Sequence, residues 1–218
     1  SMSNTKNVTP GRIALAASAI AFVVYFLTMN RTFGFIDKGE LVAVASTLGI
    51  SHPTGYPTII LLGYLFTMIL PVRDVLALNI LAALLTAASV GLLSLLFNEL
   101  LARIGSVSTG REDRPKGKAK GSKKPPTASP VIGSILAGLA ALGVGFTNTW
   151  WDQATGFEVY SLHAVMMPLV ILLFLRYCDG ERNLFRNSPD SGTEQKPAVG
   201  LFRFTRQGFW FAFALGIS

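Results

Sequence analysis

The sequence predicts an all-α protein that crosses a membrane several times. Half of its 218 residues are apolar and the mean hydropathy is +0.48. Only 14% of the residues are charged, against about 25% in an average soluble domain. The apolar residues lie in long runs, several of which approach the roughly 20 residues that a helix needs to cross a bilayer core.

The first apolar run covers residues 12–29 and is predicted as transmembrane helix 1, after a cytoplasmic N-terminus over residues 1–11. A secretory signal peptide is the alternative. The run is longer than the apolar core of a signal peptide, about 7–15 residues, and it lacks a clear small-x-small cleavage site before Asn30. We therefore expect this helix to remain in the mature protein.

Three later runs, residues 75–101, 131–148 and 160–177, are predicted as transmembrane helices 2, 3 and 4. Residues 208–218 begin a fifth apolar segment that the chain does not complete. The opening Ser1-Met2 resembles a protease-cleavage scar. We therefore expect the sequence to be a fragment of a longer protein.

Residues 56–70 form a shorter apolar run, with Pro57 at its start and Pro71 after its end. At about 1.5 Å per residue a helix of this length covers less than a full bilayer. We expect it to lie along the membrane within an outer loop over residues 30–74. A second juxtamembrane helix is predicted in the same loop at about residues 38–48.

Basic residues predict the orientation, because Lys and Arg collect in cytoplasmic loops. The loops 102–130 and 178–207 would lie inside and the loop 149–159 outside. Of the 19 Lys and Arg residues, only Arg31, Lys38 and Arg73 would then lie outside. A second topology, with residues 56–70 as a full span and the N-terminus outside, gives the same count and moves Asp37 to the other side. The short length of 56–70 favours the first topology.

The net charge of +7 does not indicate a nucleic-acid partner, because the basic residues lie in loops without a nucleic-acid-reading motif. The loop 102–130 has the composition of a disordered linker, and anionic lipid head groups are the partners that its charge would favour. Cys178 is the single cysteine, which excludes an intrachain disulfide. The sequence has no HExxH motif, Cys/His ligand spacing or phosphate-binding glycine loop, so neither a metal nor a nucleotide cofactor is predicted.

Two carboxylates follow the first predicted span. Asp37 and Glu40 have the spacing of a helix-capping box, with Asp in place of Ser or Thr. Leu41, Val44, Ala45 and Leu48 would then share one face of an amphipathic helix on the membrane. Capping alone would account for both acids. It does not use the whole carboxylate, however, and Asp37 could still accept a proton from a hydroxyl group.

The segment 51–57, Ser-His-Pro-Thr-Gly-Tyr-Pro, is predicted as a rigid turn, because each proline fixes its own φ and restricts the residue before it. Such a turn can hold His52 and Tyr56 toward a site. The same sequence is also compatible with a His52 that is simply solvated or hydrogen-bonded within the turn and has no functional role.

These patterns, taken together, resemble a family of polytopic membrane proteins related to protein O-mannosyltransferases, within the GT-C group of glycosyltransferases. The resemblance covers residues 13–175 and rests on two ordered blocks. The first block contains D-x-G-E from Asp37, T-L-G-I-x-H-P-x-G-Y-P from Thr47, and Asn79; the second contains W-x-Q from Trp151 and E-V-Y-x-L from Glu158. Lys38 stands where the usual family pattern has Ser.

The resemblance implies a GT-C-like helical fold and an inverting transfer of a sugar, with mannose as the candidate, from a polyprenyl-phosphate donor to a Ser or Thr hydroxyl of an acceptor protein on the outer face. Asp37 would be the general base, and Glu40 would orient it or hold the helix cap. Arg31, Arg73 and His52 are candidates to bind the leaving phosphate. The donor is a substrate, so no cofactor is expected. The predicted location is the plasma (inner) membrane of a bacterium.

Four further polar side chains are candidate substrate-binding groups: Tyr56, Gln153, Glu158 and His163. His163 lies just inside a predicted span, where an ionisable group indicates a cavity. Two other classes remain open. A transporter would use His163 or Glu158 to bind its cargo, and a non-catalytic scaffold would pack partners on the small residues Gly133, Ala137, Ala141 and Gly145.

Overall fold

The computed structural model describes residues 3–32, 37–50, 56–110 and 130–186, and all regular structure within these ranges is helical. The prediction of an all-α membrane protein is confirmed. The helices are α1 (Ser3–Thr28), α2 (Asp37–Thr47), α3 (Pro57–Ile69), α4 (Asp74–Gly110), α5 (Pro130–Gly145), α6 (Asn148–Thr155) and α7 (Val159–Arg186).

Three described helices are long and apolar enough to span a membrane: α1 over Pro10–Thr28, α4 over Asp74–Gly105 and α7 over Val159–Asp179. A fourth span is possible in the pair α5 and α6, which is bent by 70° at the break between the helices. Helix α3 has 13 residues and is too short to cross. The helices α1, α4 and α7 extend beyond the apolar runs of the sequence, because helical hydrogen bonding does not have to end where the apolar run does.

Helix α4 is the centre of the bundle and packs against α1, α5 and α7. In its span 56% of the residues are buried, against 22% in the spans of α1 and α7. Alanine at positions 83 and 87 lets neighbouring backbones approach, as small residues do in membrane helices. The outer faces of α1 and α7 therefore remain open to lipid or to further protein.

Two contacts define one end of the bundle. The hydroxyl of Tyr25, near the end of α1, donates a hydrogen bond to the carbonyl of Gly145 at the end of α5 (2.6 Å). The carbonyl of Asn30, just after α1, accepts a bond from Asn79 in the second turn of α4. Helices α1 and α5 thus finish where α4 begins, and we call this end the loop end.

The opposite end of the bundle is held by Arg103 of α4. Its guanidinium pairs with Glu99 on the same helix and with Asp179 of α7, and it also donates to the carbonyl of Leu175. Helices α4 and α7 therefore run in the same direction, antiparallel to α1 and α5.

Helices α2 and α3 pack at the loop end around a small apolar core. Leu41, Val42 and Ala45 of α2 are buried there, against residues of α3, α4 and the start of α7: Ile59, Leu78, Leu81, Phe157 and Val159. Of the four residues predicted to share one apolar face of α2, Leu41 and Ala45 are buried here and Val44 is partly buried, but the prediction is wrong for Leu48. Helix α2 ends at Thr47, and Leu48 takes a left-handed conformation (φ 52°) with its side chain half exposed.

The small residues of α5 face the inside of the bundle. Ala137, Ala141 and Gly145 are buried, and a Cβ added to Gly138 would lie 2.7 Å from Ile13 of α1. The surface that the sequence suggested for partner packing is therefore largely used within this chain.

The close approach at Gly145 gives a test of the bundle. A Cβ there would lie 2.7 Å from Val90 Cγ2 and 3.0 Å from the Tyr25 hydroxyl, whereas Gly143 has no such neighbour within 4 Å. We expect Gly145→Ala to lower the free energy of unfolding by about 1–3 kcal/mol through overpacking. The matched change Gly143→Ala should leave it unchanged or raise it by up to about 1 kcal/mol. Denaturant unfolding in detergent measures both, and equal effects would contradict the packing described above.

Candidate active site at the loop end

Asn79 connects three parts of the chain at the loop end. Its side chain is buried, with 3% exposed. The amide nitrogen Nδ2 donates to the carbonyl of Asn30 after α1 (2.7 Å), and Oδ1 accepts from the backbone N–H of Phe157 before α7 (2.9 Å). Both bonds go to backbone groups that no helix satisfies, so the carboxamide replaces hydrogen bonds that water would otherwise provide.

Helix α6 is fastened to the same place by further polar contacts. The backbone N–H of Asn30 donates to the carbonyl of Thr155 (2.9 Å). The indole N–H of Trp150 donates to Ser89 Oγ on α4 (2.9 Å), and the Ser89 hydroxyl in turn donates to the Thr86 carbonyl. Helix α6, which carries the W-x-Q part of the second sequence block, is therefore held directly on α4.

The two sequence blocks meet through Lys38. Its ammonium lies 3.0 Å from Asp152 Oδ1 and 3.4 Å from the Asp152 carbonyl oxygen on α6. The Lys38 side chain is only 15% exposed, although that of Asp152 is 60% exposed. Gly156 makes room for it, since a Cβ at that position would lie 2.9 Å from Lys38 Cδ. The first turn of α2 is thus placed against the end of α6.

The two predicted catalytic acids belong to this first turn of α2. Asp37 is its first residue, so its backbone directly precedes the Lys38–Asp152 ion pair; the Asp37 side chain lies outside the described part of the chain. Glu40 follows one turn later with an exposed side chain. Both are therefore at the loop end, on the helix that contacts the second sequence block.

The other site residues predicted in the outer loop 30–74 divide into three groups. His52 lies outside the described residues. Tyr56 precedes α3 in a left-handed conformation (φ 37°) and packs against the apolar core beneath α2. Arg31 and Arg73 have exposed side chains at the loop end, one after α1 and one before α4.

Gln153, from the second block, and His163, in the first turns of α7, line a groove between α6 and α7 with a volume of about 730 Å³. His163 Nδ1 lies 3.1 Å from the carbonyl oxygen of Val159, and its ring is in contact with that of Tyr160. Glu158 is half-buried just before α7, and its carbonyl accepts hydrogen bonds from Ser161. Glu158 is not among the groove residues.

Sequence reasoning missed the Lys38–Asp152 contact, because the two residues are 114 positions apart and no periodicity relates them. Asn79 was identified from the sequence only through the family resemblance. Its general signal was available, since a polar residue in a transmembrane helix is expected to face the bundle interior. Across the described residues no three His, Cys, Asp or Glu side chains are grouped so that they could hold a metal ion.

Taken together, the helical bundle and the polar loop end define a multi-pass α-helical membrane protein with a site where two sequence blocks meet. The protein belongs to the family described as protein O-mannosyl-transferase TMEM260 N-terminal domain, whose model matches residues 37–218. It is therefore related to O-mannosyltransferase enzymes.

Two relatives bear the same description. Protein O-mannosyl-transferase TMEM260 of Mus musculus is 30% identical over 168 residues, which are 77% of this chain and 19% of the mouse protein. Protein O-mannosyl-transferase tmem260 of Dictyostelium discoideum is 41% identical over 49 residues, 22% of this chain and 6% of that protein. The chain thus spans about a fifth of the length of the mouse relative. No solved structure matches.

The role of Asn79 can be tested with Asn79→Leu, which keeps the approximate volume and removes both hydrogen bonds. We expect the free energy of unfolding to fall by about 2–4 kcal/mol, because two buried backbone groups lose their partners. Hydrogen exchange at the Phe157 amide should become faster. Asn98→Leu on the same helix is the control. Its Oδ1 accepts a single bond, from the Ser134 hydroxyl (2.8 Å), so the loss should be smaller and Phe157 exchange unchanged. Equal exchange rates in both variants would contradict the bridging role.

Proposed function

We propose that this chain is the N-terminal part of a membrane glycosyltransferase that moves mannose from a polyprenyl-phosphate donor to a Ser or Thr hydroxyl of an acceptor protein. The observation that carries the proposal is the Lys38–Asp152 contact, which brings the start of α2, with Asp37, against the second sequence block. Family membership supports the reaction class. The whole protein, rather than this segment alone, would hold the complete site.

In this mechanism Asp37 is the general base. An ordinary aspartate is ionised at neutral pH, so it can accept the proton as the acceptor hydroxyl oxygen attacks the anomeric carbon of the sugar. The bond from that carbon to the phosphate oxygen breaks, and the lipid phosphate leaves with the bonding electrons. Attack from the side opposite the phosphate inverts the anomeric configuration. Glu40 orients Asp37 or holds the first turn of α2.

The leaving phosphate needs positive charge near it. Arg31 and Arg73 are assigned to this role because both guanidinium side chains are exposed at the loop end. A planar guanidinium can donate two hydrogen bonds to one phosphate. His52, Tyr56 and Glu158 are assigned to substrate binding around this centre. The assignments of His52, Tyr56 and Glu158 rest on their positions in the sequence, and each is tested by substituting that residue.

We place the loop end on the outer side of the plasma (inner) membrane of a bacterium. The orientation rests on the positive-inside rule and on the basic segments that follow α4 and α7 in the sequence. The short length of α3 supports the topology in which residues 30–74 form a single outer loop.

Asp37→Asn in the whole protein tests the catalytic assignment. Asparagine also caps helices, so we expect the fold to persist while sugar transfer falls by about 10²–10⁴-fold, as on removal of a general base. The matched control is Asp74→Asn, which removes an exposed carboxylate from the first turn of α4 at the same end. Transfer to an acceptor peptide from a radiolabelled lipid-linked mannose is the measurement. Normal turnover with Asn at position 37 would remove Asp37 from the mechanism.

The orientation can be measured with single cysteines in a Cys178→Ser background. Arg73→Cys places a thiol at the exposed start of α4, and Ile104→Cys places one near its other end, where the side chain is 66% exposed. We expect an impermeant maleimide to label position 73 in intact cells and position 104 only in inverted vesicles. The reverse pattern would contradict transfer on the outer face and favour the transporter that the sequence left open.

A further inference from the structure

The mechanism above gives no role to the groove between α6 and α7, and neither of the proposed catalytic acids, Asp37 and Glu40, is among the described residues that line it. Its residues come from α6 and from the first half of α7: Thr149, Trp150, Gln153, Tyr160, His163, Ala164, Met166, Met167, Val170 and Ile171. A volume of about 730 Å³ is in the range of ligand-binding cavities. Of the described residues that line it, none is acidic.

The groove changes from polar to apolar along α7. Thr149, Gln153 and His163 lie at the loop end, and Val170 and Ile171 lie deeper in the span. Ile171 is about 18 Å along the helix from Val159, at about 1.5 Å per residue. The groove therefore extends from the membrane boundary to roughly the middle of a hydrocarbon core that is about 30 Å thick.

The deep half of the groove is exposed on the outer face of α7 in the described part of the chain. The α7 span is mostly unburied, and Met167 is 63% exposed. Methionine side chains are flexible and fit irregular apolar shapes, so two adjacent methionines suit a branched hydrocarbon chain.

The polar half contains an acceptor without a donor. Gln153 Oε1 is buried and has no hydrogen-bond partner in the described part of the chain. An unpaired buried acceptor costs about 1–3 kcal/mol unless a ligand supplies the donor. His163 has one ring nitrogen, Nδ1, 3.1 Å from the Val159 carbonyl oxygen, so that contact does not use Nε2. A ligand that fits both halves has a hydrocarbon chain and a head with hydroxyl donors.

We propose that this groove binds the lipid-linked sugar donor, with its isoprenoid chain along Met166, Met167 and Ile171 and a sugar hydroxyl donating to Gln153 Oε1. The inference rests on the proposed function for the identity of the lipid. Gln153 follows Asp152, which pairs with Lys38, so a sugar at Gln153 would lie close to the first turn of α2.

Photolabelling tests the groove without requiring transfer. The probe is a mannosyl phosphate of a short polyprenol with a diazirine in its second isoprene unit, added to the whole protein in phosphatidylcholine nanodiscs. We expect mass spectrometry to find the label within residues 166–171. Unlabelled mannosyl phosphopolyprenol should compete, and phosphatidylglycerol should not.

Met167→Trp fills the groove and should reduce this labelling on the order of tenfold, a change of about 1.4 kcal/mol in binding. The matched control is Leu139→Trp on α5, where the native side chain is 60% exposed outside the groove; it should have no effect. Ala164→Leu is a second filling variant if Met167→Trp unfolds. Gln153→Leu should abolish the preference for the mannosyl lipid over polyprenyl phosphate while keeping the label on α7.

Label spread over the exposed apolar residues of α1 and α5, or unchanged labelling in both filling variants, would overturn the proposal. The photolabelling result can be distinguished from the result of the sugar-transfer assay. If the label on α7 is saturable and competed but the protein transfers no sugar, the groove is a lipid-binding site and the proposed transferase function is wrong. If both filling variants transfer sugar normally, the groove does not bind the donor, and the proposed transferase function is unaffected.

Discussion

The loop end depends on one buried carboxamide. Asn79 satisfies a backbone carbonyl after α1 and a backbone N–H before α7, so three segments that are far apart in sequence meet at a single side chain. Close to a hydrocarbon core, where few waters can replace lost partners, such bonds are difficult to exchange. The position of α6, and therefore of Asp152 and Gln153, follows from this junction. The groove and the contact to α2 both require that α6 stays there.

The ion pair between Lys38 and Asp152 has a different character. One carboxylate partner is largely exposed, and pairs of this kind contribute only about 0.2–1 kcal/mol. Its importance is therefore geometric rather than energetic. The apolar contacts of Leu41, Val42 and Ala45 hold α2 on the bundle, and the ammonium group then selects which part of α6 the first turn faces.

Much of the fold could be predicted from the sequence, because long apolar runs have few alternatives in a bilayer. The bend after Gly145 and the continuation of α4 to Gly110 were not predicted. Helix ends outside the apolar runs depend on local hydrogen bonding, which periodicity does not report. The candidate site was predicted less completely. Its motif residues were identified by resemblance. The Lys38–Asp152 contact could not be predicted, because it joins residues more than 100 positions apart. The unpaired Gln153 Oε1 could not be predicted either, because it depends on burial in the folded bundle.

The hydrogen bond from Tyr25 to Gly145 joins residues 120 positions apart, and this separation has a consequence for biosynthesis. A ribosome makes α1 and α4 before residue 145, so the Tyr25 hydroxyl lacks this acceptor until the end of α5 has been made. Asn79 likewise waits for the Phe157 amide. Neither of these two bonds can form until the segment that contains residues 145–157 has been made, so the loop end is completed late in the synthesis of this part of the chain.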